Sequence, residues 1–307
     1  MRDFLQSPLF EPVTEHLKAC HSALLSADHL HLHAPASLEG VLAMGFIEAA
    51  CLDLGLRYKR RFFLPKSHRP RDEGVSIPNS DHGLVVVLDV EEETWDVEER
   101  PLDGRLNLVP LKTRLRLGSQ HHVKSGALDT VIQCAALAAA MAPNGRRVRS
   151  LRPYASMGLW LRGGLDTSVD PIHSLVILHL KEEGSVRMVP LPEVALPAED
   201  MIPGLSQLQL KRLRRSWSKM DVDARTTALS ELVLPSLAAG QLSTPRLEEL
   251  VWHRMVVGDG SVDLASQVHL LQRQWPTGVD ELRLHASVVL DGWISTGVLL
   301  MDEQATD

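Results

Sequence analysis

The sequence predicts an α/β protein: a parallel sheet wound by helices, followed by a smaller α/β domain. Three observations carry this. The stretch "GLVVVLDV" (83–90) is short, β-branched and apolar on both faces, as a central parallel strand requires. Strand-like and helix-like segments alternate through the first ~180 residues, the order of a doubly wound sheet. A stretch with four prolines, "PLPEVALPAEDMIPG" (190–204), interrupts the pattern and reads as a boundary. The expected organisation is therefore 1–190 as the sheet domain, 191–240 as a helical linker and 241–307 as a small C-terminal α/β domain.

Each element follows from its local pattern. Residues 11–25 have the spacing of an amphipathic helix. Residues 28–34 alternate and read as a strand. "SLEGVLAMGFIEAACLDLGL" (37–56) repeats apolar residues at helical spacing and meets a C-cap glycine, Gly55. "RYKRRFFLP" (57–65) is a second strand closed by Pro65, and the segment after it, to Asp81, is loop. After the central strand, "SGALDTVIQCAALAAAMA" (125–142) is expected to be one long helix and "HSLVILHL" (173–180) a strand. Residues 205–239 read as mostly helical. In the C-terminal part, 250–260 reads as a strand, 261–274 as a helix, and "ELRLHASVVLDGWISTGVLLM" (281–301) as a β-pair ending the chain.

Composition narrows the function. The 307 residues are 44% hydrophobic, enough for a packed core, and carry a net charge of −7. An acidic chain is a poor stand-alone binder of nucleic acid, and 4% aromatics leave little for a base-stacking platform. Cys20, Cys51 and Cys134 are isolated and odd in number, which fits apolar core positions and a reducing compartment. No signal-peptide core or membrane-length run is present, so a cytoplasmic location is expected.

Two acids stand where ligands gather in an open parallel sheet, beyond the carboxyl ends of strands. Asp89 closes the central strand, and Glu39 opens the helix after the first. Such acids are common oxygen ligands for divalent metals. The histidines of "DHLHLHAPASLEG" (28–40) alternate, so His29, His31 and His33 share one face of a strand. A packed or partner-facing stripe is the default reading. "KRLRR" (211–215) reads as a solvated helical face, "HHV" (121–123) as an exposed loop pair, and Gly258 and Gly260 as turn glycines.

The order of elements resembles the DHH phosphoesterase superfamily, and within it the RecJ-like exonucleases of archaeal type. That superfamily's first motif follows a strand and reads HxDxDG. Here "PASLEG" (35–40) holds its place, with Pro35, Ser37 and Glu39 where His, Asp and Asp belong. "LVVVLDVEE" resembles the strand that bears the second-motif aspartate, and Asp89 keeps it. The naming motif, DHHxP, matches "VEERP" (97–101): Val97 replaces the aspartate, Glu98 and Glu99 replace the histidines, and Pro101 remains. "LNLVP" (106–110) follows as the Asn-Pro loop does, and "SGAL" (125–128) as the opening of the next helix. "YASMGLW" (154–160) resembles the small-residue strand of the fourth motif, with Arg162 near the place of its acid. "SVDLASQVHLLQRQ" resembles a helix of the second domain, which lacks the family's glycine-rich substrate loop.

The resemblance implies a two-domain fold whose catalytic pattern is nearly erased, because a two-metal phosphoesterase needs a cage of His and Asp side chains. At most one weakly bound Mg²⁺ or Mn²⁺ is expected, at Glu39, Asp89 and Glu99; otherwise no cofactor. It further implies a scaffold or accessory subunit of DNA replication or repair, paired with an active RecJ-like nuclease or a GINS-type subunit, touching DNA only indirectly. Residues 281–301 are expected to contribute a sheet edge to that pairing. A rival resemblance is to PHP-domain metal-dependent phosphoesterases, through "HLHLHAPASLEG", which would make His31 and His33 metal ligands. A divergent phosphoesterase or nuclease of either type is the alternative function.

Overall fold

The computed structural model describes residues 4–299 apart from 71–73, 76, 79–81, 94–95, 97–104, 118–121, 163–170, 199, 259 and 261. The fold is α/β, built on a four-stranded, all-parallel sheet. Its strands are β1 (Leu30–Pro35), β2 (Tyr58–Phe63), β3 (Leu84–Leu88) and β4 (Arg105–Leu108), in the spatial order β2-β1-β3-β4. α1 (Thr14–Ser26) leads into β1, and α2 (Leu38–Leu54) connects β1 to β2. Leu30, Leu32 and Ala34 of β1 turn inward and are buried, while His31 and His33 lie on the opposite face, as strict alternation demands.

α2 is the central helix. Nearly every residue from Leu38 to Cys51 is buried, because the helix is enclosed on several sides rather than half exposed. Ser37 caps its start by accepting from Gly40 N at 3.2 Å, and Gly55 ends it with φ +69°, where a side chain would be strained. A Cβ on Gly40 would lie 2.1 Å from the Pro35 carbonyl oxygen, so the glycine lets the helix start directly against the end of β1.

A hairpin follows the sheet: β5 (Leu111–Leu117) pairs antiparallel with β6 (His122–Leu128). The expected long helix is thereby divided. Ser125–Leu128 belong to β6, so "SGAL" does not open a helix. Asp129 does, capping α3 (Thr130–Met141) through Ile132 N at 2.7 Å. α4 (Arg146–Leu151) precedes a 3-10 turn over 152–156 and α5 (Met157–Leu161), so "YASMGLW" is helical and not a strand. "HSLVILHL" lies in α6 (Pro171–Glu182), whose buried residues Ile172, His173, Val176, Ile177 and Leu180 recur at helical spacing.

β7 (Arg187–Val189) pairs with β8 (Arg254–Val257), which pairs with β9 (Val262–Asp263). The proline-rich stretch thus runs between strands of one sheet, and it buries Leu191, Val194, Met201 and Ile202. α7 (Gln207–Ser216), α8 (Val222–Ala239) and α9 (Thr244–Trp252) come between, then α10 (Leu264–Gln274) follows β9. Residues 250–252 finish α9, so the expected strand at 250–260 shrinks to β8.

The last element overturns an expectation. Residues 281–296 are not strand: they lie in α11 (Val279–Thr296), which buries Leu282, Ala286, Val289, Leu290 and Trp293 along one stripe. Trp293 is fully buried and meets Phe46 at a ring-centroid distance of 5.6 Å and Tyr154 at 5.2 Å. A Cβ on Gly45 would come within 2.3 Å of its ring, so α2 keeps a groove for it. Arg60 of β2 ties the same elements together, donating to Glu48 of α2 at 2.8 Å and to Asp291 of α11 at 2.7 Å. One continuous core therefore runs from Phe4 to Leu299, through the expected boundary at 190–191.

Candidate functional site

In the order β2-β1-β3-β4 the chain departs from β1 to one side and returns on the other, so the carboxyl ends of β1 and β3 flank the crevice where open α/β sheets bind ligands. Glu39 stands in the first turn of α2, just after β1, and Asp89 follows β3. Beyond them a cleft of ≈570 Å³ is lined by Phe63, Lys66, Arg69, Asp89, Glu92 and Arg105 among others.

The structure brings several sequence-predicted positions to this edge. Burial pushes the Glu39 carboxyl up to about 7; Arg162 pulls against it, and Asp129 and Glu91 add to it. Glu39, Arg162, Asp129 and Glu91 therefore share one electrostatic neighbourhood. Arg162 also donates to the Glu92 carbonyl at 3.4 Å. Pro35 and Ser37 lie beside Glu39, but Pro35 pairs in register with Phe63 and Ser37 is spent as a helix cap. Val97, Glu98, Glu99 and Pro101 lie outside the described residues, as do Asp81 and His121.

Three acids of the edge, Asp89, Glu91 and Asp129, accept from backbone N–H groups. Asp89 Oδ1 accepts from Glu91 N at 3.1 Å, and the Asp89 carbonyl accepts from Thr130 Oγ1 at 3.1 Å. Glu91 takes Lys66 N on both carboxylate oxygens, at 2.9 and 3.0 Å, while Lys66 Nζ donates to the Glu91 carbonyl at 2.7 Å. Arg69 adds an ion pair to Glu91 at 3.4 Å. Asp129 caps α3. These carboxylates hold turns and helix starts in place.

The donor set does not fit the two-ion cage that the DHH resemblance implies. Pro35 has no donor atom in its side chain, and Arg162 brings a cation to the neighbourhood of Glu39. Among the described residues, no three His, Cys, Asp or Glu side chains converge so as to hold a metal ion. His31 Nε2 lies 2.9 Å from the His82 carbonyl, which only accepts, so that nitrogen carries the proton and is committed. The His29 and His31 rings pack at 4.9 Å.

Sequence reading missed Asp129, Glu91, Lys66 and Arg69. Asp129 had a usable signal, an N-cap residue directly before an apolar helical run. Lys66 and Arg69 had none, because a loop over the sheet edge places them. Three free cysteines, Cys20, Cys51 and Cys134, are buried as core residues. No helix among the described residues is long and apolar enough to cross a membrane. No protein-family model matches the chain, and no curated protein matches it.

Proposed function

We propose that this chain is a non-catalytic relative of the RecJ-like phosphoesterases, serving as a scaffold or accessory subunit in DNA replication or repair beside an active RecJ-like nuclease or a GINS-type subunit. The observation that carries the reading is that a cation, Arg162, lies close enough to act on Glu39 at the crevice between β1 and β3. A phosphoryl-transfer site needs cations or donors around the phosphate and carboxylates around the cations. Here burial raises the proton affinity of one acid, a guanidinium acts on it, and Asp89 is held by its own turn. The family resemblance rests on the sequence motifs at 35–40, 84–92 and 97–101, and the partner follows from that resemblance alone.

The sheet-edge route to the partner is withdrawn, since residues 281–296 are helix α11 with its buried stripe in the core. Co-expression with each candidate partner followed by size-exclusion chromatography tests the proposal: a stable complex is expected, and elution of the chain alone with every candidate at micromolar concentration would remove its support.

One observation favours a second reading, a divergent phosphoesterase. A carboxyl held near 7 at a switch-point crevice has the proton affinity of a general acid or base. Hydrolysis of single-stranded DNA or RNA that disappears in Glu39→Gln would establish that reading instead.

A further inference from the structure

The parallel sheet is covered unequally. α2 and its neighbours bury one face, through Leu30, Leu32, Ala34, Val86 and Leu106. On the other face, among the described residues, the apolar cover is Val75 and Ile77, packed on Phe63, Val85 and Val87. On the half formed by β1 and β2, among the described residues, that layer reaches only Phe63, although parallel sheets are ordinarily covered on both sides. Its surface is a register of nitrogen bases: His31 beside Lys59, His33 beside Arg61, with Arg57 two residues before Lys59.

Arg57, Lys59 and Arg61 are exposed. Among the described residues, no carboxylate pairs with any of the three, whereas Arg60, between them on the inward face, is bridged to both Glu48 and Asp291. The charged neighbours acting on the histidines are also cations. After desolvation, His31, Lys59 and Arg57 hold His29 below the usual imidazole range, and Arg61, His31 and Arg105 do the same to His33. A row of cations with no carboxylate partner among the described residues is a local exception on a chain of net charge −7.

We infer that the β1–β2 half of this face docks an extended, acidic segment of a protein partner, with carboxylates meeting Arg57, Lys59 and Arg61. Alternate residues of a strand lie roughly 7 Å apart, and so do alternate side chains of an extended peptide, so an acidic segment can match the row one for one. A nucleic-acid strand fits less well. Affinity for phosphate backbones accumulates over many contacts, and this row is short. Glu91, Glu92 and Glu93 stand at the carboxyl end of the same sheet and repel a polyanion that continues past it. The inference names the partner's chemistry and rests on the scaffold reading for its setting. Hydrolytic activity would sink that reading and leave the docking surface standing; failed peptide binding would do the reverse.

The test is fluorescence anisotropy on the full-length chain at low salt, with a labelled peptide of alternating Asp and Val, its Lys-Val counterpart, and a labelled oligothymidylate of equal charge to the first. The Asp-Val peptide binds, the Lys-Val peptide does not, and Lys59→Glu with Arg61→Glu weakens binding at least about tenfold. Lys211→Glu with Arg212→Glu, on the exposed face of α7, leaves it unchanged. Unfolding midpoints verify the variants; should the Glu pair unfold the chain, Lys59→Gln with Arg61→Gln gives the same readout with a smaller loss. Tighter binding of oligothymidylate, equal loss in the α7 variant, or no binding of the Asp-Val peptide overturns the proposal.

Discussion

Glu39 is the residue at which burial and charge compete most directly. Its carboxyl has a folded pKa near 7 against an ordinary value of 4.5, so the folded state holds a proton that the unfolded state has released between those limits. Stability therefore falls as pH rises from about 4.5 to 7 and stays reduced above 7, by an amount on the order of 3 kcal/mol. Glu249, also pushed up to about 7 chiefly by burial, adds a slope of the same sign. Glu39→Gln is expected to remove its share: denaturant midpoints measured from pH 5 to 8 flatten, and the variant is more stable than the parent at pH 8. An unchanged slope would show that the carboxyl is solvated. Gly40 is constrained by space. Gly40→Ala places a methyl group against the Pro35 carbonyl and is expected to cost about 1–3 kcal/mol in chemical denaturation.

The elements that were legible in the sequence are those with an unambiguous period or a cap. β1, α2, β2 and β3 fall within a residue or two of their expected limits, because alternation, Ser37, Gly55 and the all-apolar run at 84–88 each point one way. The failures share a cause. "HSLVILHL" and "LRLHASVVLDGW" are apolar, β-branched runs whose strand-like look hides a helical stripe, and short runs of this kind do not separate the two periods. In α11 the buried residues are Leu282, Ala286, Val289, Leu290 and Trp293. The arrival of Trp293 beside Gly45 is a long-range fact that no local pattern carries. Two outcomes follow for α11. Truncation after Asp280 exposes the groove on α2 and is expected to abolish cooperative thermal unfolding, as read by circular dichroism; a truncated chain with the parent's midpoint would refute the central place given to this helix. Arg60→Ala leaves Glu48, only 4% exposed, without its cation and is expected to cost about 3–5 kcal/mol. Glu48→Gln, which removes the charge itself, costs less.

At the scale of the molecule, the carboxyl edge of the sheet was legible as a place but not as a chemistry. The strand ends at Asp89 and the helix start at Glu39 located it from the sequence. Its occupancy was hidden, because Lys66, Asp129 and Arg162 arrive there from three separate parts of the chain. The histidine stripe was legible as one face of a strand; its contact with the His82 carbonyl came only with the fold. Replacing His31 and His33 by Gln is expected to alter stability and leave the metal content of the purified protein unchanged by elemental analysis; loss of a stoichiometric metal would restore the PHP-type reading. We propose that the crevice between β1 and β3 does not perform metal-dependent hydrolysis. It is tested most directly by incubating the purified chain with Mn²⁺ and end-labelled single-stranded DNA, RNA and short oligonucleotides, with Asp89→Ala in parallel. No cleavage above background is expected from either protein; cleavage by the parent that Asp89→Ala abolishes would mark the crevice as a working hydrolytic site.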